Sequence, residues 1–412
     1  MKKDIDRYMA EQGIDAIWIN GATQNNPAMV YFTGLHHVSS ADLFKIRDQE
    51  PILFYNSMER EEAAKTGLNT ISLDEKYPIR EYFKKANGDT LQTLILRYQD
   101  IFSDLGIHNK TIALGGKVDL NSAYAIVSAL QKALPDVTFA GYFMDNVLNL
   151  ARMTKSNEEV EHIRKMGEIT TRVVGNVADY LSSNKVKGTI LVDGHGDAIT
   201  VGKVKSLIRR WLAEYGADNP EETIFAIGRD AGIPHSAGEE DSVMELGKTI
   251  VFDIFPCEAG GGYFYDFTRT WCLGHASDEI QKIYEDVFSV HQSMLKSIKT
   301  NTPFREYQVQ TCNMFKEMGY KTIDDNPGLL EGYVHSLGHG LGLDVHENPF
   351  CGMGSSEKDI LQPGNVFTIE PGLYYPSKGM GVRIEDTVYI NEKGESEVLA
   401  KFPYELVLPV KE

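Results

Sequence analysis

Four carboxylates and one histidine interrupt apolar or glycine-rich runs in the second half of the chain: Asp253, Asp266, His339, Glu370 and Glu385. They fall in residues 249–255, 266–271, the glycine-rich run from Gly338, and the two runs that carry the glutamates. One lone carboxylate in a β-like run is unremarkable, but four carboxylates and a histidine, each placed where a solvated loop residue would not be, suggest a shared task. Unpaired charge is costly to bury, and four negative groups brought together repel one another. A fold in which these runs meet needs a neutraliser, and a pair of divalent cations is the simplest one.

An internal echo fits such a centre. Gly247-Lys-Thr-Ile-Val-Phe-Asp253 and Gly364-Asn-Val-Phe-Thr-Ile-Glu370 each place a carboxylate six residues after a glycine, at the end of a β-rich run. Each is followed by a second run with its own acid, Asp266 in Asp-Phe-Thr-Arg-Thr-Trp and Glu385 in Arg-Ile-Glu-Asp-Thr-Val. Two similar halves, each donating two acids, could surround one centre. Strand alternation puts Asp253 on a face with Val251 and Phe255, and Glu385 on a face with Arg383 and Thr387. Carboxylate oxygens with a single imidazole and no thiolate favour Mn²⁺, Co²⁺, Fe²⁺ or Zn²⁺. Two such ions sharing a water lower its pKa and polarise a carbonyl, which is hydrolytic chemistry.

The length of 412 residues predicts two domains. Residues 1–150 alternate helical and strand patterns: helices over 5–12, 90–102 and 122–134, strands over 15–19, 51–55 and 111–114. That alternation reads as α/β with a partly parallel sheet. Ser156 followed by Glu158 and Glu159 marks the start of a long amphipathic helix to about Leu181. The boundary is therefore placed near residue 150, with a second domain over 151–412. A net charge of −18 argues against a nucleic-acid partner. No apolar run is long enough to span a bilayer, and the polar start Met1-Lys2-Lys3-Asp4 has no signal-peptide core. A cytoplasmic protein is expected.

Among the remaining side chains, His335, His339 and His346 crowd one glycine-rich stretch, although the whole chain has 11 histidines. The His335–His339 spacing matches that of a zinc-protease helix, but Ser336 stands where the general base would be. Glycines 338, 340 and 342 also disfavour a helix. His36, His37, His195, His235 and His291 read by themselves as solvated or structural. Cys257, Cys272, Cys312 and Cys351 include no C-x-x-C pair, which indicates neither a zinc knuckle nor a disulfide framework.

The order Asp253, Asp266, His339, Glu370, Glu385 resembles the pita-bread metallopeptidases: methionine aminopeptidase, Xaa-Pro aminopeptidase and prolidase, with creatinase as a non-metal relative. Asp-Phe-Thr-Arg-Thr at 266–270, Gly-His-Gly-Leu-Gly-Leu-Asp-Val-His-Glu at 338–347, Thr-Ile-Glu-Pro-Gly at 368–372 and Val-Arg-Ile-Glu-Asp at 382–386 carry the likeness. Gly13-Ile-Asp-Ala and Tyr31-Phe-Thr-Gly34 resemble the creatinase-type N-terminal domain. The resemblance implies a dinuclear site, usually manganese or cobalt, and a small peptide cleaved before proline. It also implies a homodimer or higher homo-oligomer. By motif position it makes His235, His335 and His346 substrate-binding and proton-shuttling groups, and Glu370 the proton acceptor. Arg383 becomes a contact to a metal ligand or to substrate.

Four departures bear on the pocket. Twelve residues separate Asp253 from Asp266 where the family usually has ten, with Gly260-Gly-Gly262 among them. Phe255 replaces the small residue common two places after the first aspartate, and Lys248 stands where an aspartate is frequent. Residues 348–363, where a prolidase needs a cation for the proline carboxylate, hold Lys358 but no arginine. The expectation is an Xaa-Pro aminopeptidase. The alternatives are a prolidase restricted to dipeptides, a non-peptidase acting on a small C–N or C–S substrate, and a binding protein that kept only the fold.

Overall fold

The computed structural model describes residues 4–142, 146–352, 355 and 359–411. The chain divides into two compact units, one of Met1–Arg152 with Gly260–Gly262, the other of Met153–Ala259 with Tyr263–Glu412.

The first unit is built on a six-stranded mixed sheet whose central strand is Ala16–Gly21. That strand pairs antiparallel with Ala41–Ile46 and parallel with Thr111–Gly116, so the expected partly parallel sheet is present. Helices Asp4–Glu11, Thr90–Asp104 and Leu120–Ala133 lie where periodicity placed them, within two residues at each end. Asp89 and Asp119 cap the latter two by accepting the amides of Gln92 and Ser122. Ile17 and Ile19 face one apolar cluster and Ala16 and Trp18 the other, as alternation requires of a strand covered on both sides.

The second unit opens with helix Asn157–Ser183. Ser156 and Glu159 close its first turn as a reciprocal capping box. Its buried side chains, Val160, Ile163, Met166, Val173, Val174, Val177 and Leu181, recur at helical spacing and join a cluster with Phe252 and Trp271. The two larger sheets of this unit are antiparallel-rich. In one, Thr223–Ile227, Thr249–Ile254, Phe267–Leu273 and Val407–Leu408 are neighbours in that order. In the other the order is Glu347–Phe350, His339–Gly340, Val366–Ile369, Asp386–Ile390 and Ser396–Val398. Helices Asp278–Ser297 and Arg305–Glu317 contribute to a second apolar cluster, which includes Phe367 and Val388. All four cysteines are buried, and none is in a disulfide. Among the described residues no helix is long and apolar enough to cross a membrane.

Candidate metal centre

Strand ends place the acids. Asp253 is the penultimate residue of Thr249–Ile254, and Asp266 immediately precedes Phe267–Leu273, the antiparallel neighbour. Glu370 immediately follows Val366–Ile369, and Glu385 immediately precedes Asp386–Ile390, again an antiparallel neighbour. His339 enters from the strand on the other side of Val366–Ile369. Its glycines let the backbone lie against its neighbours. A Cβ on Gly338 would sit 2.0 Å from the Thr368 carbonyl oxygen, and one on Gly340 would sit 2.2 Å from that of Asn348. The glycine-rich run thus brings His339 close to Glu370 by letting main chains touch.

Asp266, His339 and Glu385 offer ligand atoms that all lie within 4.8 Å of one another. His339 Nε2 is 3.6 Å from Asp266 and 3.4 Å from Glu370. Its Nδ1–H donates to the Gly340 carbonyl at 3.0 Å, which leaves the Nε2 lone pair facing the acids. Asp253 shares the cavity and is gripped by the Arg383 guanidinium. Arg383 also donates to the Tyr374 hydroxyl at 2.8 Å and the Pro234 carbonyl at 3.2 Å. Thr268, opposite Asp253 in the strand register, donates its hydroxyl to Glu385 at 2.6 Å and accepts Arg383 Nε at 3.3 Å.

Burial and the mutual repulsion of the acids dominate the electrostatics. Burial first, then the charges of Asp253 and Glu370, push the Asp266 carboxyl well above the usual range. Burial and then Asp266 do the same to Glu385. Burial lifts Glu370 to about 8, partly opposed by Arg383. Burial lowers His339 to about 3, with His346 adding to the effect. One oxygen of Asp253 and one of Asp266 are buried without any hydrogen-bond partner. Orphaned carboxylate oxygens beside an imidazole lone pair fit hard divalent cations. The donor set passes the test that the fold sets for it.

All five proposed ligands line one cavity of about 450 Å³, together with His235, His335, His346, Phe255, Phe350, Glu221 and Arg383. Phe255 does reach the cavity wall, as alternation from Asp253 requires. The three accompanying histidines differ. His346 packs its ring 4.2 Å from that of His339. His335 donates from Nδ1 to the Ser336 carbonyl at 2.7 Å and accepts the Tyr374 hydroxyl at Nε2, 2.8 Å away. Both of its nitrogens are therefore engaged, and burial lowers it to about 3. His235 lines the cavity from a loop before the Asp253 strand. Sequence reasoning missed Thr268 and Tyr374. Thr268 lay inside a quoted motif without a role, whereas Tyr374 carries no local signal and matters only through its contacts. Lys358 lies outside the described residues.

Residues 161–392 match metallopeptidase family M24, and residues 2–154 match the creatinase/prolidase N-terminal domain. An Xaa-Pro dipeptidase of Pyrococcus horikoshii is 27% identical over 406 residues, covering 98% of this chain and 98% of that one. An Xaa-Pro dipeptidase of Pyrococcus furiosus is 31% identical over 252 residues, covering 61% and 64% respectively. Among solved structures, an X-Pro aminopeptidase of Thermotoga maritima matches with a TM-score of 0.71 at 25% identity, covering 98% of this chain and 99% of that one. An Xaa-Pro dipeptidase of Bacillus anthracis matches in fold with a TM-score of 0.73 at 24% identity, covering 98% and 99%. The expected architecture, a creatinase-type N-terminal domain followed by a pita-bread metallopeptidase domain, is borne out.

Proposed function

This chain belongs to metallopeptidase family M24, and on that premise we propose that it hydrolyses the peptide bond before proline, releasing the N-terminal residue of Xaa-Pro peptides. The observation that carries the reading is the pair of orphaned buried oxygens on Asp253 and Asp266, set in one cavity with His339, Glu370 and Glu385. These five residues are assigned as the ligands of two divalent ions. When bound, such ions supply an acidic water and a polarised carbonyl. Glu370, which lines the same cavity, is assigned as the proton acceptor. His346 and His235 are assigned to the substrate carbonyl and to proton transfer. His335, committed to Ser336 and Tyr374, instead orients Tyr374 and through it Arg383. Arg383 holds Asp253 in place.

Substrate length follows from charge. Among the described residues lining the cavity, Arg383 is the one lysine or arginine, and it already serves Asp253, Tyr374 and Pro234. With no other lysine or arginine among the described lining residues to hold a proline carboxylate, peptides that continue beyond proline are the favoured substrates. Proline contributes a tertiary amide with no N–H, and the histidines can address its carbonyl side. The dipeptidase names of the two Pyrococcus relatives favour a second reading, a prolidase restricted to Xaa-Pro dipeptides. Manganese as the metal, a homo-oligomeric assembly, a cytoplasmic setting and a catalytic domain over 151–412 belong to the same proposal. The test is the manganese-reconstituted protein on Xaa-Pro dipeptides against Xaa-Pro-Xaa tripeptides. A higher kcat/KM on tripeptides is expected. Preference for dipeptides assigns the prolidase reading, and inactivity on both overturns the peptidase.

A further inference from the structure

Lys155 and Glu347 form a buried ion pair, Nζ to Oε2, at 3.0 Å, with both side chains almost wholly enclosed. Neither belongs to the cavity wall. A buried pair of this kind adds little net stability compared with an apolar pair of the same volume, so its position asks for another explanation. The other Glu347 oxygen, Oε1, accepts the backbone amides of Leu343 at 2.7 Å and Asp344 at 3.0 Å. The carboxylate therefore folds back into the turn that follows His339, which begins and ends on the paired residues Gly340 and Glu347. Gly342 makes room for it, since a Cβ there would lie 2.7 Å from a Glu347 oxygen. His346 is the last residue of that turn, and its ring rests on His339. Lys155 is itself fixed to the base of the Glu370 strand. Its amide donates to the Gly364 carbonyl at 2.7 Å, and Asn365 Nδ2 donates to the Met153 carbonyl at 3.0 Å.

We propose that the Lys155–Glu347 pair is a positioning device: Glu347 braces the 343–346 turn from inside so that His346 is held against His339, and Lys155 supplies the counter-charge that lets a carboxylate stay there. Lys155 and Glu347 touch no reacting atom, and act through His346. The inference rests on the assignment of His346 to proton transfer, but the placement of its ring is testable without any peptide.

The first experiment compares K155M/E347Q with K155M/E347L. The glutamine variant keeps an acceptor for the two turn amides, and the leucine variant removes it while still filling an apolar space. In the zinc-loaded protein, the His346 imidazole resonance, assigned by its disappearance in H346A, should stay in place in K155M/E347Q and shift or broaden in K155M/E347L. Metal stoichiometry should be the same in both. On Xaa-Pro-Xaa peptides, kcat should fall at least about 10-fold further in the leucine variant, with KM within about 2-fold, the pattern expected when a positioned proton-transfer group is misplaced. Activity that simply follows the melting temperature across the two variants overturns the proposal, as does an unmoved His346 resonance in the leucine variant. Should that variant fail to fold, K155M/E347A decides instead, alone and combined with H346A. It should lower activity when His346 is present and cost no further activity when added to H346A, whereas an equal loss in both backgrounds overturns the link to His346. A moved resonance in a protein that cleaves no Xaa-Pro peptide would sustain the positioning and remove only the peptidase reading.

Discussion

The two halves of the centre look alike in sequence and differ in space. In the glutamate half, the register pairs Ile369 with Asp386, so Glu370 and Glu385 leave facing strand ends side by side. In the aspartate half, Ile254 pairs with Phe267 and Asp253 with Thr268, so Asp253 and Asp266 are offset along the ladder. Their neutralisation differs too. Thr368 lies 3.3 Å from Glu370 and Thr268 lies 2.6 Å from Glu385, each donating a hydroxyl. The aspartates instead depend on one guanidinium, which bonds Asp253 and acts on Asp266 only through its charge, and each keeps one unpartnered oxygen. A hydroxyl lowers the cost of a buried carboxylate, while an orphaned oxygen leaves it in full. The aspartate half should therefore depend on cations most, and the glutamate half should tolerate their loss better.

Substituting the acids tests this contrast with the largest effect. Asp266→Ala should lose at least one ion by elemental analysis and drop activity by on the order of 10³-fold, the scale of several kcal/mol of lost charge stabilisation. Glu385→Gln should retain more metal than Asp266→Asn. Equal retention by the two amide variants would break the comparison.

The histidines sharpen it next. Both His339 and His346 sit on the glutamate side, on the strand paired with Val366–Ile369 and the turn after it. His339→Ala should lower metal content, whereas His346→Ala should keep both ions and reduce turnover by on the order of 10²-fold. Full activity in His346→Ala would return that residue to an ordinary surface role.

Thr268 joins the halves, since it lies opposite Asp253, supports Glu385 and receives Arg383. Thr268→Val should cost roughly 10-fold in activity or metal affinity, the usual scale for a residue that orients ligands. No change in either quantity would show that the two halves are set independently.

The smallest effect is on stability against pH in metal-free protein. Glu370 is raised to about 8, and Asp266 and Glu385 are raised as well, so the folded state holds protons that the unfolded state has released. Stability then falls as pH rises through this range. The lowered histidines act the other way, but only below an unfolded value of about 6.5, because His291 at about 4 and His335 and His339 at about 3 are neutral in both states above it. Between pH 6.5 and 8 the melting temperature of the metal-free protein should drop by on the order of 5 °C. Added Mn²⁺ should cancel the drop, and a flat profile without metal would show that the acids are not strained.

Much of this site was legible because strands and capped helices write themselves locally. Ser156 and Glu159 announce their helix through reciprocal bonds within one turn. Acids at the ends of β-rich runs show that the runs end at something charged. Tyr374 was not legible, because nothing near it in sequence distinguishes a hydroxyl that links Arg383 to His335 from one that faces water. The engagement of His335 escaped for the same reason: motif spacing gives a histidine its place in order but not the partners of its nitrogens.

The sequence by itself determined the main elements, the order of the five candidate ligands and the reason to expect cations, since periodicity, capping and the cost of buried charge are properties of short stretches. Only the tertiary structure decided which acids remain orphaned, which histidines keep a free nitrogen, and which lysine sits behind the His346 turn. Those outcomes depend on contacts across more than a hundred residues, such as Thr268 with Glu385 and Lys155 with Glu347. Distances of a few ångströms between such partners are fixed by the packing of two sheets, and no local pattern encodes them.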